Sequence, residues 1–184
     1  MRDSGPDRFV QFVEPHLEAL FRLAWRLLRN TPDAQDLVQD TCLVACGRLA
    51  EVAAADSPRR WLLSVLQNRF IDGQRRRQRS PVVSAEDSDE VAMLTSDEFD
   101  PEELLRQSQD EQALEQAFLM LNATQRMLLS LLAEGCKLPE IEAITGIERK
   151  VLSARLNRAR KALSQRILEH KHAAASSRRA GSQP

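Results

Sequence analysis

Apolar residues return every three or four positions through most of the chain, and that period predicts helices. After a fraying start over residues 1–8, Phe9, Phe12 and Val13 begin the pattern, and Pro15 interrupts it. Leu17, Leu20, Phe21, Ala24, Leu27 and Leu28 carry it on, with Arg22, Arg26 and Arg29 facing out. Asn30-Thr31-Pro32-Asp33 reads as a turn and N-cap, and the next helix opens on Asp33-Ala34-Gln35-Asp36, where acids suit the dipole. That helix buries Leu37, Thr41, Val44, Ala45 and Leu49 and leaves Asp36, Gln39 and Asp40 as a polar edge. Ala50 to Ser57 reads as a loop of small residues, after which Ser57-Pro58 starts a third helix by the cap-then-proline rule. Trp61, Leu62, Val65, Leu66 and Ile71 give this helix a packing face, and it ends in Arg75-Arg76-Arg77-Gln78-Arg79.

The pattern then stops. Between Ser80 and Glu103 there are nine acids and no Lys or Arg, the composition of a flexible tether. From Leu104 the helical period resumes through Leu114, Ala117, Phe118 and Leu121 to a cap at Asn122-Ala123-Thr124, followed by a helix over Gln125 to Ala133. Two more helices follow around a tight turn. Pro139 opens the first, Ile141 and Ile144 give it an apolar edge, and Thr145-Gly146-Ile147 makes the turn. In the second, Leu152, Leu156, Ala159, Leu163 and Ile167 form an inward stripe, while Lys150, Ser153, Ala154, Asn157, Arg158 and Lys161 point away. This is helix-turn-helix spacing, with the second helix offered to a major groove. The predicted fold is all-α: two small helical domains joined by an acidic linker, the second containing the helix-turn-helix. The boundaries are 9–79, 80–103 and 104–169, with an unfolded tail over 170–184 because periodicity ends there.

Composition sharpens this outline. The 184 residues are 42% hydrophobic but only 4% aromatic, with no tyrosine, as in a soluble helical protein rather than a sheet protein. A net charge of −1 excludes a uniformly basic coat, yet hides a strong segregation of basic and acidic stretches. Three cysteines without a framework spacing, and no signal-peptide start, point to a reducing cytoplasm. No apolar run approaches the roughly 20 residues needed to span a bilayer, so the chain does not insert directly into a membrane and would meet one only through a partner. His16, His170 and His172 are scattered, and no nucleophile, base and orienting group occur together, which excludes an enzyme; no cofactor is expected.

Two blocks carry a resemblance. LFRLAWRLLRNTPDAQDLVQDTCLVACGRL followed by SPRRWLLSVLQNRFIDGQRRRQR resembles region two, the promoter-melting domain, of the extracytoplasmic-function (ECF) RNA polymerase sigma factors. LLAEGCKLPEIEAITGIERKVLSARLNRARKAL is similar to their region four. The DAQDLVQDT block, and Trp61, Asn68 and Asp72 in the pattern W-x6-N-x3-D, are more specific than the helix-turn-helix alone. The resemblance implies a factor that joins core RNA polymerase, directs it to promoter DNA, helps to open it and is held inactive by an anti-sigma protein. By motif position Asp36, Leu37, Gln39, Asp40 and Thr41 would meet the clamp helices of the polymerase's largest subunit, where acids gain charge-assisted hydrogen bonds from a basic surface. Asn68, Arg69, Asp72, Arg75 and Arg76 would serve the minus-ten element: Asn68, with the Glu51 to Ser57 loop, would hold an extruded base, and the arginines would hold phosphates. Lys150, Ser153, Ala154, Asn157, Arg158 and Lys161 would face the minus-thirty-five element. The acidic linker would run through polymerase channels that otherwise hold nucleic acid.

The chain also departs from the family. Cys42 and Cys46 replace the large aromatics usual on the clamp-binding helix, and without further soft ligands nearby they are expected to be small core residues rather than a metal site. Ser153 and Ala154 stand where the family often has a basic residue and a serine, which leaves Lys150, Asn157, Arg158 and Lys161 more for phosphate than for sequence. The rival class is a stand-alone regulator with a helix-turn-helix and a cysteine-bearing sensing lobe; it would have no need of the DAQDLVQDT block.

Overall fold

A computed structural model of the protein describes residues 5–79 and 111–180, with side chains described for 7–77, 79 and 111–170. The linker, residues 104–110 of the second domain and the last four residues lie outside the described residues, as do residues 1–4. Among the described residues the regular structure is entirely helical. The first lobe holds α1 (Gly5–Phe12), a short 3-10 turn (Glu14–His16), α2 (Leu17–Leu28), α3 (Thr31–Gly47), α4 (Leu49–Ala54) and α5 (Pro58–Arg79). The second holds α6 (residues 111–119), α7 (Ala123–Ala133), α8 (Leu138–Thr145) and α9 (Arg149–Ala180).

Local chemistry sets most boundaries. Asn30 caps α3, its side chain accepting the Asp33 N–H at 2.9 Å, and Pro32 occupies the first turn, where a missing N–H costs nothing. Asn122 and Gln125 cap α7 reciprocally, each side chain accepting the other's backbone N–H. Arg29 closes α2 at φ 51°, an unusual conformation for a side chain with a Cβ. Its backbone N–H reaches the Trp25 carbonyl at 2.7 Å, and its guanidinium lies over the Trp25 ring and donates to Glu115 of α6 at 2.7 Å.

Three expectations change. The Ala50–Ser57 segment is not all loop: Val52 is fully buried and anchors α4, a helix of residues with high helix propensity, so only Ala55 to Ser57 remain as connection. Helix α1 starts at Gly5, within the segment read as fraying. At the other end, α9 runs on to Ala180 through the alanine-rich stretch read as an unfolded tail, since extending a formed helix is far easier than starting one and needs no buried stripe.

The larger difference is in packing. Two lobes with separate cores are the sequence expectation, yet the buried side chains form one cluster: Leu20, Leu23, Leu27, Leu62, Leu63 and Leu66 of the first lobe are continuous with Met127, Leu128, Leu131, Ile141 and Leu152 of the second. Helix α7 lies against α2 and α5, and α8 against α5. The arginines of α2 are therefore not simply solvated. They face the second lobe.

Candidate polymerase and nucleic-acid interfaces

Helix α3 divides cleanly. Ala34, Leu37, Thr41 and Ala45 form the inward stripe, and Thr41 is fully buried because its hydroxyl donates to the Leu37 carbonyl at 2.8 Å. Leu37 and Thr41, grouped by motif with the polymerase-binding residues, thus belong to the core and hold the helix in place. Asp36, Gln39 and Asp40 are exposed. Leu43, 66% exposed, extends their edge by one turn. Sequence reading passed over it, although its spacing of three and four from Asp40 and Gln39 places an apolar residue on a polar stripe. Cys46 is exposed as well, which corrects its reading as a core residue; Cys42 is half-buried, and burial, with Cys46 one turn away, raises its thiol pKa. Among the described residues no group of three or more metal-ligating side chains gathers.

The acids of α3 face the basic end of α5 across a groove of about 190 Å³, with Asp33, Asp36 and Asp40 on one wall and Arg69, Arg76 and Arg77 on the other. Arg77 donates to Asp33 at 3.2 Å and Arg75 pairs with Asp72 at 3.6 Å, both in solvent and each contributing about 0–1 kcal/mol. Asn68, Arg69, Asp72, Arg75 and Arg76 are all exposed on α5. A second cleft, about 360 Å³, joins Asp56 and Ser57 to Arg60, Trp61 and Ser64. Asn68 does not line it but stands one turn beyond Ser64. Ala143 of α8 closes its far side, so the second lobe sits at the mouth. Trp61 is half-buried and belongs both to the core edge and to this cleft.

In the second lobe Gly146 adopts φ 65° and ends α8, its N–H bonding the Glu142 carbonyl at 2.8 Å. Thr145 accepts the Ile147 N–H at 3.3 Å, and the Glu142 carboxylate accepts the Arg149 N–H at 3.0 Å, which fixes α9 against the turn. Leu152, Leu156 and Ala159 are buried as the stripe predicts. Lys150, Ser153, Ala154, Asn157, Arg158 and Lys161 are exposed together, and Arg155, absent from the predicted set, is exposed beside them.

The lobes are joined by charge as well as by leucines. Glu134, at the C-terminal end of α7, has a side chain only 3% exposed and receives Arg26 at 2.8 Å and Arg22 at 3.3 Å from α2. Arg59 of α5 donates to the Glu134 carbonyl at 2.9 Å and reaches the Cys136 sulfur at 3.7 Å. Cys136 is buried there, and burial raises its thiol pKa against the lowering effect of Arg59. His16, near the same arginine, has its pKa lowered by burial and then by Arg59.

The comparisons with known proteins follow these elements. The Sigma-70 region 2 family model matches residues 12–80, which covers α2 to α5. The ECF RNA polymerase sigma factor SigF of Caulobacter vibrioides is 33% identical over 136 residues, 73% of this chain and 71% of that protein. The ECF RNA polymerase sigma factor SigE of Mycolicibacterium smegmatis is 29% identical over 162 residues; the match takes in 87% of this chain but spans only 62% of SigE. Among solved structures, the sigma factor RpoE in complex with the anti-sigma factor NepR from Bartonella quintana matches at a TM-score of 0.67 and 29% identity, over 88% of this chain and 96% of that one.

Proposed function

This chain belongs to the ECF RNA polymerase sigma factor family, and from that premise we propose that it binds core RNA polymerase through the exposed edge of α3 and carries it to promoters read by α5 and α9. The observation that supports this most is the division of α3: Asp36, Gln39 and Asp40 stand outside while Leu37 and Thr41 fix the helix from within. Acids held rigidly on one edge suit a basic partner surface, where they raise association rate and specificity without serving the fold. On this reading Asn68 takes an extruded minus-ten base, Arg69, Arg75 and Arg76 hold its strand, and Lys150, Asn157, Arg158 and Lys161 meet the minus-thirty-five duplex, with Ser153 and Ala154 near base edges. The protein acts in the cytoplasm, needs no cofactor, catalyses nothing itself and is restrained by an anti-sigma partner, as the RpoE structure's NepR suggests.

The two promoter elements lie on the order of 80 Å apart, about 25 base pairs at roughly 3.4 Å each. Lobes in contact cannot span that distance. The described arrangement is therefore a closed state, and engagement of a promoter requires α7 and α8 to leave α2 and α5. The test is to mix the purified chain with core polymerase and map transcription start sites. Lys at both Asp36 and Asp40 should abolish polymerase binding with helicity intact, and unchanged binding would overturn the assignment.

A further inference from the structure

Closure leaves the two ends of the lobe boundary electrostatically unlike. At one end Glu134 and Glu115 neutralise Arg22, Arg26 and Arg29. At the other, the C-terminal half of α5 meets the start of α7 and the outer face of α9 around a cleft of about 500 Å³. Arg75 enters it from the first lobe, Arg155 and Arg158 from the second, and no Asp or Glu lines it. Arg75 has only its weak solvent pair with Asp72, Arg158 only the Ala154 carbonyl at 3.4 Å, and Arg155 no partner among the described residues. Like charges brought together from two lobes oppose closure, unless something anionic lies between them.

We propose that this cleft is a binding site for a polyphosphate anion, clasped by Arg75 from one lobe and Arg155 and Arg158 from the other. Three guanidiniums match several phosphoryl groups, since their planar forks bond phosphate in pairs of hydrogen bonds. Gln74, Thr124 and Gln125 add polar groups at the rim, and Ile71 and Leu128 supply an apolar floor on which a nucleoside attached to the phosphates can rest. Because the site exists only when the lobes meet, an anion bound there stabilises the closed state by linkage. If Arg75 and Arg158 also contact promoter DNA, as the proposed function has it, the anion and the promoter exclude one another.

The test uses the full chain with a donor and an acceptor dye, one on each lobe, titrated with inorganic triphosphate, with ATP and with sodium chloride at matched ionic strength. Triphosphate should bind saturably, raise the melting temperature and shorten the dye distance, where sodium chloride does neither. Arg155→Glu should weaken binding about tenfold or more, as loss of a charge-assisted pair implies, while the anion-free melting temperature holds, since Arg155 is exposed and unpaired. Arg155→Gln should give an intermediate loss. Tighter binding of ATP than of triphosphate would identify a nucleotide as the ligand, and equal binding would identify the phosphates alone. The proposal falls if triphosphate acts no differently from sodium chloride, or if Arg155→Glu binds as wild type does. Neither result bears on polymerase binding through α3, which is measured separately.

Discussion

Arg26 of the first lobe donates to Glu134 of the second at 2.8 Å, and the carboxylate that receives it is almost wholly shielded from water. Arg22 and Arg59 converge on the same residue, one on its carboxylate and the other on its carbonyl. Glu134→Gln keeps the shape and removes the charge. It should weaken the lobe contact by about 1.5–3 kcal/mol, the range for hydrogen bonds to charged groups, with the lower end favoured because Arg22 is half in solvent. Small-angle scattering should show a larger radius of gyration for the variant at moderate salt; equal radii would mean that the leucines alone hold the lobes together.

The three cysteines should label in a fixed order. Cys46 is exposed and reacts first, Cys42 is half-buried with a raised thiol pKa and follows, and Cys136 is buried at the lobe boundary and reacts only when the lobes part. Mass-resolved alkylation at pH 8 would follow each site, and Glu134→Gln should speed Cys136 alone.

His16 makes folding sensitive to acid. Its folded pKa is below the ordinary value, so folding favours the neutral ring. The stability this contributes is fully present above the unfolded pKa, near 6.5, and is lost as pH falls through the lower folded value. His16→Gln should flatten that part of the stability profile in urea titrations run from pH 7.5 down to pH 5, whereas an unchanged slope would assign the acid response to carboxylates.

Gly146→Ala tests the helix-turn-helix. No atom lies within 4 Å of a Cβ added there, so the penalty is conformational, about 1–2 kcal/mol for a side chain held at positive φ. Gly146→Asn should lose less, since asparagine tolerates this region, and thermal melts of the two variants would show the difference.

Much of this was legible in the sequence, element by element. The Asn30 and Asn122 caps, the Gly146 turn and the Leu152–Leu156–Ala159 stripe are local, set by residues within a turn or two of one another, and each lies where its pattern put it. The exposure of Asp36, Gln39 and Asp40 followed from the same period. What was not legible was relational. Arg22, Arg26 and Arg29 look like a solvated helix face until Glu134 and Glu115, about a hundred positions away in sequence, are brought to them, and no periodicity encodes that meeting. Leu37 and Thr41 separate two kinds of reading: the helical period buries them, as the structure does, while the family motif groups them with the exposed acids because a motif marks a block and burial alternates within it.

The continuous core has a consequence in time. Leucines of α2 and α5 share their packing with Met127, Leu131 and Ile141, so parting the lobes exposes a contiguous apolar surface rather than swinging a hinge. Such a step is rare and concerted. If polymerase accepts only the parted form, its observed rate of capture will rise with polymerase concentration and then level off at the rate at which the lobes come apart, and the measured affinity will be the intrinsic one reduced by the parted fraction. Stopped-flow mixing over a wide range of polymerase concentration would reveal that plateau, and Glu134→Gln should lift it.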